Sequence, residues 1–141
     1  MDLIPIAVNE NGIKNHPLFA HIVRLDFDLT GLCNRQCSFC PRSLDAVPLY
    51  PNINKQMSLE TVEIVIKELL SIDFKGWVEL AGRGESTLHK KFDTIVDMLT
   101  AAPRKWKVRL TTNGYKLDEW WNSPVGQKLD ELILNSYESK E

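Results

Sequence analysis

Three cysteines, Cys33, Cys37 and Cys40, stand in one short stretch with the spacing C-x-x-x-C-x-x-C, and they are all the cysteines of the chain. Thiolates are strong, soft ligands for iron and zinc, and three this close in sequence can reach one metal centre without help from distant residues. Gly31 and Pro41 bracket the stretch, which predicts a loop. Backbone amides in such a loop can turn inward toward cluster sulfurs. Three chemistries compete. A disulfide would leave one thiol over, and the short spacing suits it poorly. A zinc site needs four closed ligands, with His16, His21 or His89 as the fourth. An iron–sulfur cube with three protein ligands and one open iron matches the count directly, and it departs from the four-cysteine pattern of electron-transfer clusters.

Two other stretches carry weaker signals. In Gly82-Arg83-Gly84-Glu85 the glycines let the backbone approach a ligand closely, with a carboxylate beside them. The plainer reading is a glycine turn before a helix. Asn113-Gly114 is a common turn pair after a strand. His89 reads as a solvated histidine at a helix start. Trp120 and Trp121 read as packing, since no basic residues interleave with them as in a stacking platform. Arg42 is placed to pair with a carboxylate, either of a ligand or of a nearby surface acid.

The elements that must position these residues alternate along the chain. Residues 1–20 read as an irregular lead-in punctuated by Pro5, Gly12 and Pro17. Apolar–polar alternation predicts strands over 21–29, 77–81, 107–112 and 132–137. The cysteine loop runs on through Pro48 and Pro51. Helical periodicity follows Ser58, an N-cap with Glu60 in its first turn, through Val62, Val65, Ile66 and Leu69. A second helix is predicted over 89–100, stopped by Pro103, and a third helical region over 118–129, restarted at Ser123-Pro124. Strand–helix–strand repeated three times means parallel strands with right-handed crossovers, an α/β partial (βα) barrel. All three motifs then lie at the carboxyl ends of strands, where such barrels do their chemistry. Arg24, Asp26 and Asp28, then Glu79, then Lys107 and Arg109, put charge on one face of three strands. The apolar face must meet the helices, so the charged face is expected inside, with Asp26 or Asp28, Glu79 and Arg109 close together and Glu79 paired with Arg109 or Lys107.

The cysteine spacing, with Phe39 before Cys40 and Asn34 after Cys33, resembles the radical S-adenosylmethionine (radical SAM) superfamily. Gly82-Arg83-Gly84-Glu85 is similar to that family's Gly-Gly-Glu-Pro element, although Ser86 stands where proline is usual and Arg83 parts the glycines. The resemblance covers roughly residue 22 to the end and makes 21–141 the N-terminal portion of a radical SAM core domain, truncated after the fourth strand. It implies that Cys33, Cys37 and Cys40 hold a 4Fe-4S cluster whose open iron binds SAM. It places Phe39, Gly82, Gly84, Glu85 and Asn113 about the SAM, with Glu85 near its ammonium and Asn135 or Ser136 near its ribose. The implied chemistry is reductive cleavage of SAM to a 5′-deoxyadenosyl radical that abstracts hydrogen from a substrate. The electron would come from a donor such as flavodoxin or ferredoxin. The Cys-Pro-Arg step and the long following loop look like members that modify peptides. The later strands are missing from the sequence, so a longer protein and an inactive isolated chain are expected.

Composition narrows the rest. A chain of 141 residues with net charge −2 suits one domain and offers no global field for nucleic acid. No apolar run is long enough for a bilayer, and the start lacks a signal-peptide pattern. Free thiols in such a chain predict a reducing, cytoplasmic compartment. A second function class stays open: a non-catalytic iron–sulfur or zinc-binding module for electron relay or partner binding, which would not need Gly84, Glu85 or Asn113 at strand ends.

Overall fold

Four parallel strands, β1 (Arg24–Phe27), β2 (Trp77–Leu80), β3 (Lys107–Thr112) and β4 (Glu131–Leu134), form one sheet in the order of the chain. The computed structural model describes residues 21–42 and 54–136; the expected lead-in over 1–20, with His16, the loop at Pro48 and Pro51, and Tyr137 lie outside them. Register follows the alternation. Leu25, Val78 and Val108 form one row, and Phe27, Leu80, Leu110 and Leu132 the next. Both rows point to the helices, and Val78, Leu80, Val108 and Leu110 are fully buried there.

Helix α1 (Leu59–Ser71) starts where Ser58 accepts a hydrogen bond from Thr61 N at 3.1 Å, which satisfies one of the free amides of the first turn. It buries Val62, Ile66 and Leu69. It stops at Asp73, whose left-handed backbone (φ 54°) lets Phe74 N reach back to Leu69 O. Helix α2 (Phe92–Ala101) buries Phe92, Ile95, Val96 and Leu99 on one stripe. Trp106, 2% exposed, joins the same core.

The opposite face of the sheet is charged, as the alternation requires. Asp26, Glu79, Arg109 and Glu131 stand side by side across all four strands. Glu79 Oε2 lies 3.1 Å from Arg109 Nη2, and Glu79 Oε1 accepts from Thr111 Oγ1 at 2.6 Å. The Glu79–Arg109 approach is a charge contact rather than an aligned hydrogen bond. Arg109 also reaches Glu131 at 3.1 Å and lies over the Trp77 ring, 4.6 Å from its centroid. Arg24 bridges Asp26 and Glu79. Asp28 leaves this group and turns to Arg83 instead.

Three element boundaries differ from the sequence reading. The second helix does not begin at His89: a 3-10 turn, Ser86–Leu88, comes first, His89 is extended, and α2 starts at Phe92. His89 Nδ1 accepts from Lys91 N at 3.0 Å, which holds the chain out of helix there. The third helical region is one turn, α3 (Leu117–Trp120), and a 3-10 turn, Gly126–Lys128. Ser123 Oγ donates to Trp120 O and so caps the turn, and the backbone at Gly126 packs against the carbonyls of Trp120 and Trp121, where a side chain would collide. Ser123-Pro124 thus ends a helix rather than opening one. Strand four runs earlier than expected, from Glu131. Trp120 does pack, edge-on to Phe92, whereas Trp121 is 39% exposed.

His89 is buried, not solvated. Its Nε2 donates to Met57 O at 2.9 Å while Nδ1 accepts, so the neutral ring suits both contacts. Burial pushes its pKa below the ordinary 6.5, against a smaller opposing pull from Met57 O. The unfolded chain therefore binds the proton first as pH falls. Stability should be flat above about pH 6.5 and decline below it, through the depressed folded value. Denaturant unfolding at stepped pH should show this decline in the wild type and a weaker one in His89→Gln, which does not titrate.

Candidate functional site

The carboxyl ends of the strands meet in one cleft. Cys33, Cys37, Phe39 and Cys40 come from the loop after β1; Gly82, Gly84 and Glu85 from the loop after β2; Thr112 and Asn113 from the end of β3; and Asn135 from beyond β4. Every predicted site residue except Ser136 therefore lines one space. Ser136 is exposed and outside the lining, and Asn135 takes its place. The alternation of β4 explains this: Leu132 lies in register with Leu110 on the helix side, so Asn135 falls on the same side as Glu131 and Ile133.

The three thiols are free and half-buried. Cys40 N donates to Cys37 O at 2.9 Å, a tight turn that keeps the two close. Among the described residues no three His, Cys, Asp or Glu side chains gather tightly enough for one metal ion. A single zinc ion needs its ligands about 2.3 Å away on every side, whereas a polynuclear cluster offers a separate iron to each thiolate. His89, a proposed fourth zinc ligand, spends both ring nitrogens on Met57 and Lys91, and His21 is exposed. A soft three-thiol set around one cleft fits an iron–sulfur cluster better than zinc.

The glycines do a different job from the one expected. At Gly84 a Cβ would overlap the carbonyl oxygens of Thr30 and Leu32, and at Gly82 it would meet the Asp28 side chain. The close approach is to the protein's own cysteine loop. Glu85 N completes the seam by donating to Leu32 O at 2.7 Å. Asp28 adds to it, accepting from Arg83 N and pairing with the Arg83 side chain, both at 3.2 Å.

Glu85 is 3% exposed, and its carboxylate organises the site. Oε1 accepts from Thr87 N at 3.3 Å, Thr87 Oγ1 at 2.8 Å and Thr112 Oγ1 at 2.7 Å. Oε2 accepts from Asn113 N at 2.8 Å. An ionised carboxylate has about four acceptor sites, two on each oxygen, so Oε2 keeps room for one more donor. Asn113 in turn donates from Nδ2 to Asn34 Oδ1 at 3.0 Å and faces Cys33 Sγ at 3.8 Å. Arg42, expected to find a carboxylate, has Nε and Nη1 buried without a hydrogen-bond partner.

Thr87 and Thr112 were not singled out in the sequence, yet they hold Glu85. Thr112 carried a signal: period two puts it on the helix side with Val108 and Leu110, where a hydroxyl needs a partner. Thr87 carried none, since its role depends on where Glu85 turns.

Comparison with known proteins agrees with this arrangement. The family model described as the radical SAM superfamily matches residues 28–134. GTP 3′,8-cyclase of Pasteurella multocida is 31% identical over 124 residues, covering 83% of this chain and 34% of that enzyme. GTP 3′,8-cyclase of Aeromonas hydrophila subsp. hydrophila is 31% identical over 97 residues, 67% of this chain and 28% of the enzyme. The chain thus spans about a third of the length of these relatives. BtrN in complex with AdoMet and 2-DOIA superposes with a TM-score of 0.68 at 20% identity, covering 84% of this chain and 47% of BtrN. BtrN in an open conformation gives 0.69 at 23% identity, over 82% and 50%. The fold is that partial (βα) barrel, and the family's cofactors are a 4Fe-4S cluster and SAM. No described helix is long and apolar enough to cross a membrane. With its three cysteines, its glycine–glutamate loop and its strand-end asparagine around one cleft, the chain belongs to the radical SAM superfamily.

Proposed function

We propose that residues 21–141 are the N-terminal portion of a radical SAM core domain, and that this portion binds the cluster and SAM for hydrogen abstraction from a substrate. The observation that carries the reading is the convergence of three thiols, the Gly82–Glu85 loop and Asn113 on one cleft at the carboxyl ends of parallel strands. Cys33, Cys37 and Cys40 would ligate three irons. The bound pair of cofactors supplies reductive cleavage of the SAM sulfonium to methionine and a 5′-deoxyadenosyl radical. The chain's own part is to hold and orient. Glu85 Oε2, with its spare lone pair, would accept from the SAM ammonium beside the Gly82–Gly84 backbone. Phe39 would flank the cluster side of the cleft, and Asn135 would meet a ribose hydroxyl.

The electron donor is an external one-electron carrier of the flavodoxin or ferredoxin kind. The relatives are named for acting on GTP, which makes a purine nucleoside triphosphate one substrate class to test and a peptide the other. Anaerobic reconstitution with iron and sulfide, then addition of SAM, tests the core of the proposal. The paramagnetic spectrum of the reduced cluster should change on SAM addition. Indifference to SAM would favour a non-catalytic iron–sulfur module.

Glu85→Gln separates the two cofactors. An amide replaces one acceptor oxygen by a donor, so the ammonium contact weakens while the thiols stay in place. SAM affinity should fall by roughly tenfold, about 1.4 kcal/mol. Iron content should fall much less. Equal SAM affinity in variant and wild type, measured by titration of the reconstituted protein, would remove Glu85 from the binding role.

A further inference from the structure

Asn113 does more than line the cleft, on the reading that the three thiols hold a cluster. Its side-chain amide has two distinguishable ends. Oδ1 accepts from Tyr115 N at 3.0 Å. A flipped amide would set Nδ2 against that N–H, donor against donor, so the backbone fixes the orientation. Nδ2 must then point toward the cysteine loop with two hydrogens. One meets Asn34 Oδ1 at 3.0 Å, and the other faces Cys33 Sγ at 3.8 Å, within reach of a large sulfur acceptor. The backbone of the same residue is held by Glu85 Oε2. Asn113 is therefore fixed at main chain and side chain, with an N–H aimed at a ligand sulfur 80 residues away in sequence.

We infer that Asn113 is a positioning residue that tunes the metal centre: its Nδ2–H donates to the Cys33 thiolate and raises the reduction potential of a cluster held there. Adding one electron increases the negative charge shared by the irons and their sulfur ligands. A hydrogen bond to sulfur stabilises the more negative state and so favours reduction. Such outer contacts are a recognised way for a protein to set a metal's properties.

The test compares wild type, Asn113→Asp and Asn113→Ala after anaerobic reconstitution. Iron and sulfide per chain are measured first. The midpoint of the one-electron couple is then titrated without SAM, followed by the paramagnetic signal of the reduced state. Asp keeps the acceptor for Tyr115 N but removes the donor and adds a charge; Ala removes the donor alone. Both should make reduction harder, Asp more than Ala. A tenfold shift of the reduction equilibrium reads as 59 mV for a one-electron couple. Full iron content with an unchanged midpoint in both variants overturns the inference. So does loss of the cluster in both, because a contact that only tunes is not needed for assembly. Failure of the wild type to hold a cluster overturns the proposed function instead.

Discussion

Cys37→Ala should abolish the brown iron–sulfur chromophore of the reconstituted protein. Cys37 sits between the other two ligands, and Cys40 N donates to its carbonyl, so the backbone turn survives while the central thiolate is lost. No other cysteine exists to replace it, and His89, the buried histidine nearest in the fold's logic, is committed to Met57 and Lys91. A cube left with two protein ligands has two irons open, and such a cluster is expected to lose iron. Iron and sulfide analysis beside the absorption spectrum checks this. A variant that keeps a full cube would remove Cys37 from the ligand set. Thermal stability without iron should barely change, because Cys37 is half-buried and outside the apolar core.

Gly84→Ala should be the most damaging single methyl at the site. The added Cβ would overlap two backbone carbonyls, Thr30 O and Leu32 O, and neither is the movable end of a side chain. Relief requires the loop after β2 to lift off the cysteine loop, breaking the Glu85 N–Leu32 O hydrogen bond. Overpacking and a lost hydrogen bond together cost about 2–4 kcal/mol. Iron retention should fall with it, since the seam supports the thiol loop. Gly82→Ala is the control. Its Cβ meets only the Asp28 carboxylate, which can swing aside, so about 1 kcal/mol or less is expected. Chemical denaturation of the three proteins checks the order. Equal stability of Gly84→Ala and wild type would show that the two loops are not held together there.

What was legible in the sequence came from short-range rules. Period two put Glu79 and Arg109 on one face, and their register partners bear it out. Period 3.6 and Ser58 located α1, and three cysteines in one loop located the site. What was hidden depends on residues that meet only in the fold. The donors to Glu85 come from Thr87, Thr112 and Asn113, and the last two lie on another strand's end. The glycines looked like an approach to a ligand because sequence does not say what stands opposite; it is the Thr30–Leu32 backbone. The third helix was overestimated because helical periodicity continued past a serine whose hydroxyl closes the turn at Trp120. At β4 a boundary shift was enough to trade Ser136 for Asn135, since successive side chains alternate sides.

Because the sheet is laid down in chain order, the site has a timetable. N-terminal segments leave the ribosome first, and the thiols emerge just behind β1. Their supports come much later: the Glu85 amide after β2, and the Asn113 amide, which meets Asn34 across 79 residues of sequence, only after β3. Iron offered to the nascent chain finds thiols on an untethered loop. The supported loop exists only once three strands are in place. Metal insertion is therefore a late, post-folding step, the reverse of a zinc finger, where the metal makes the fold.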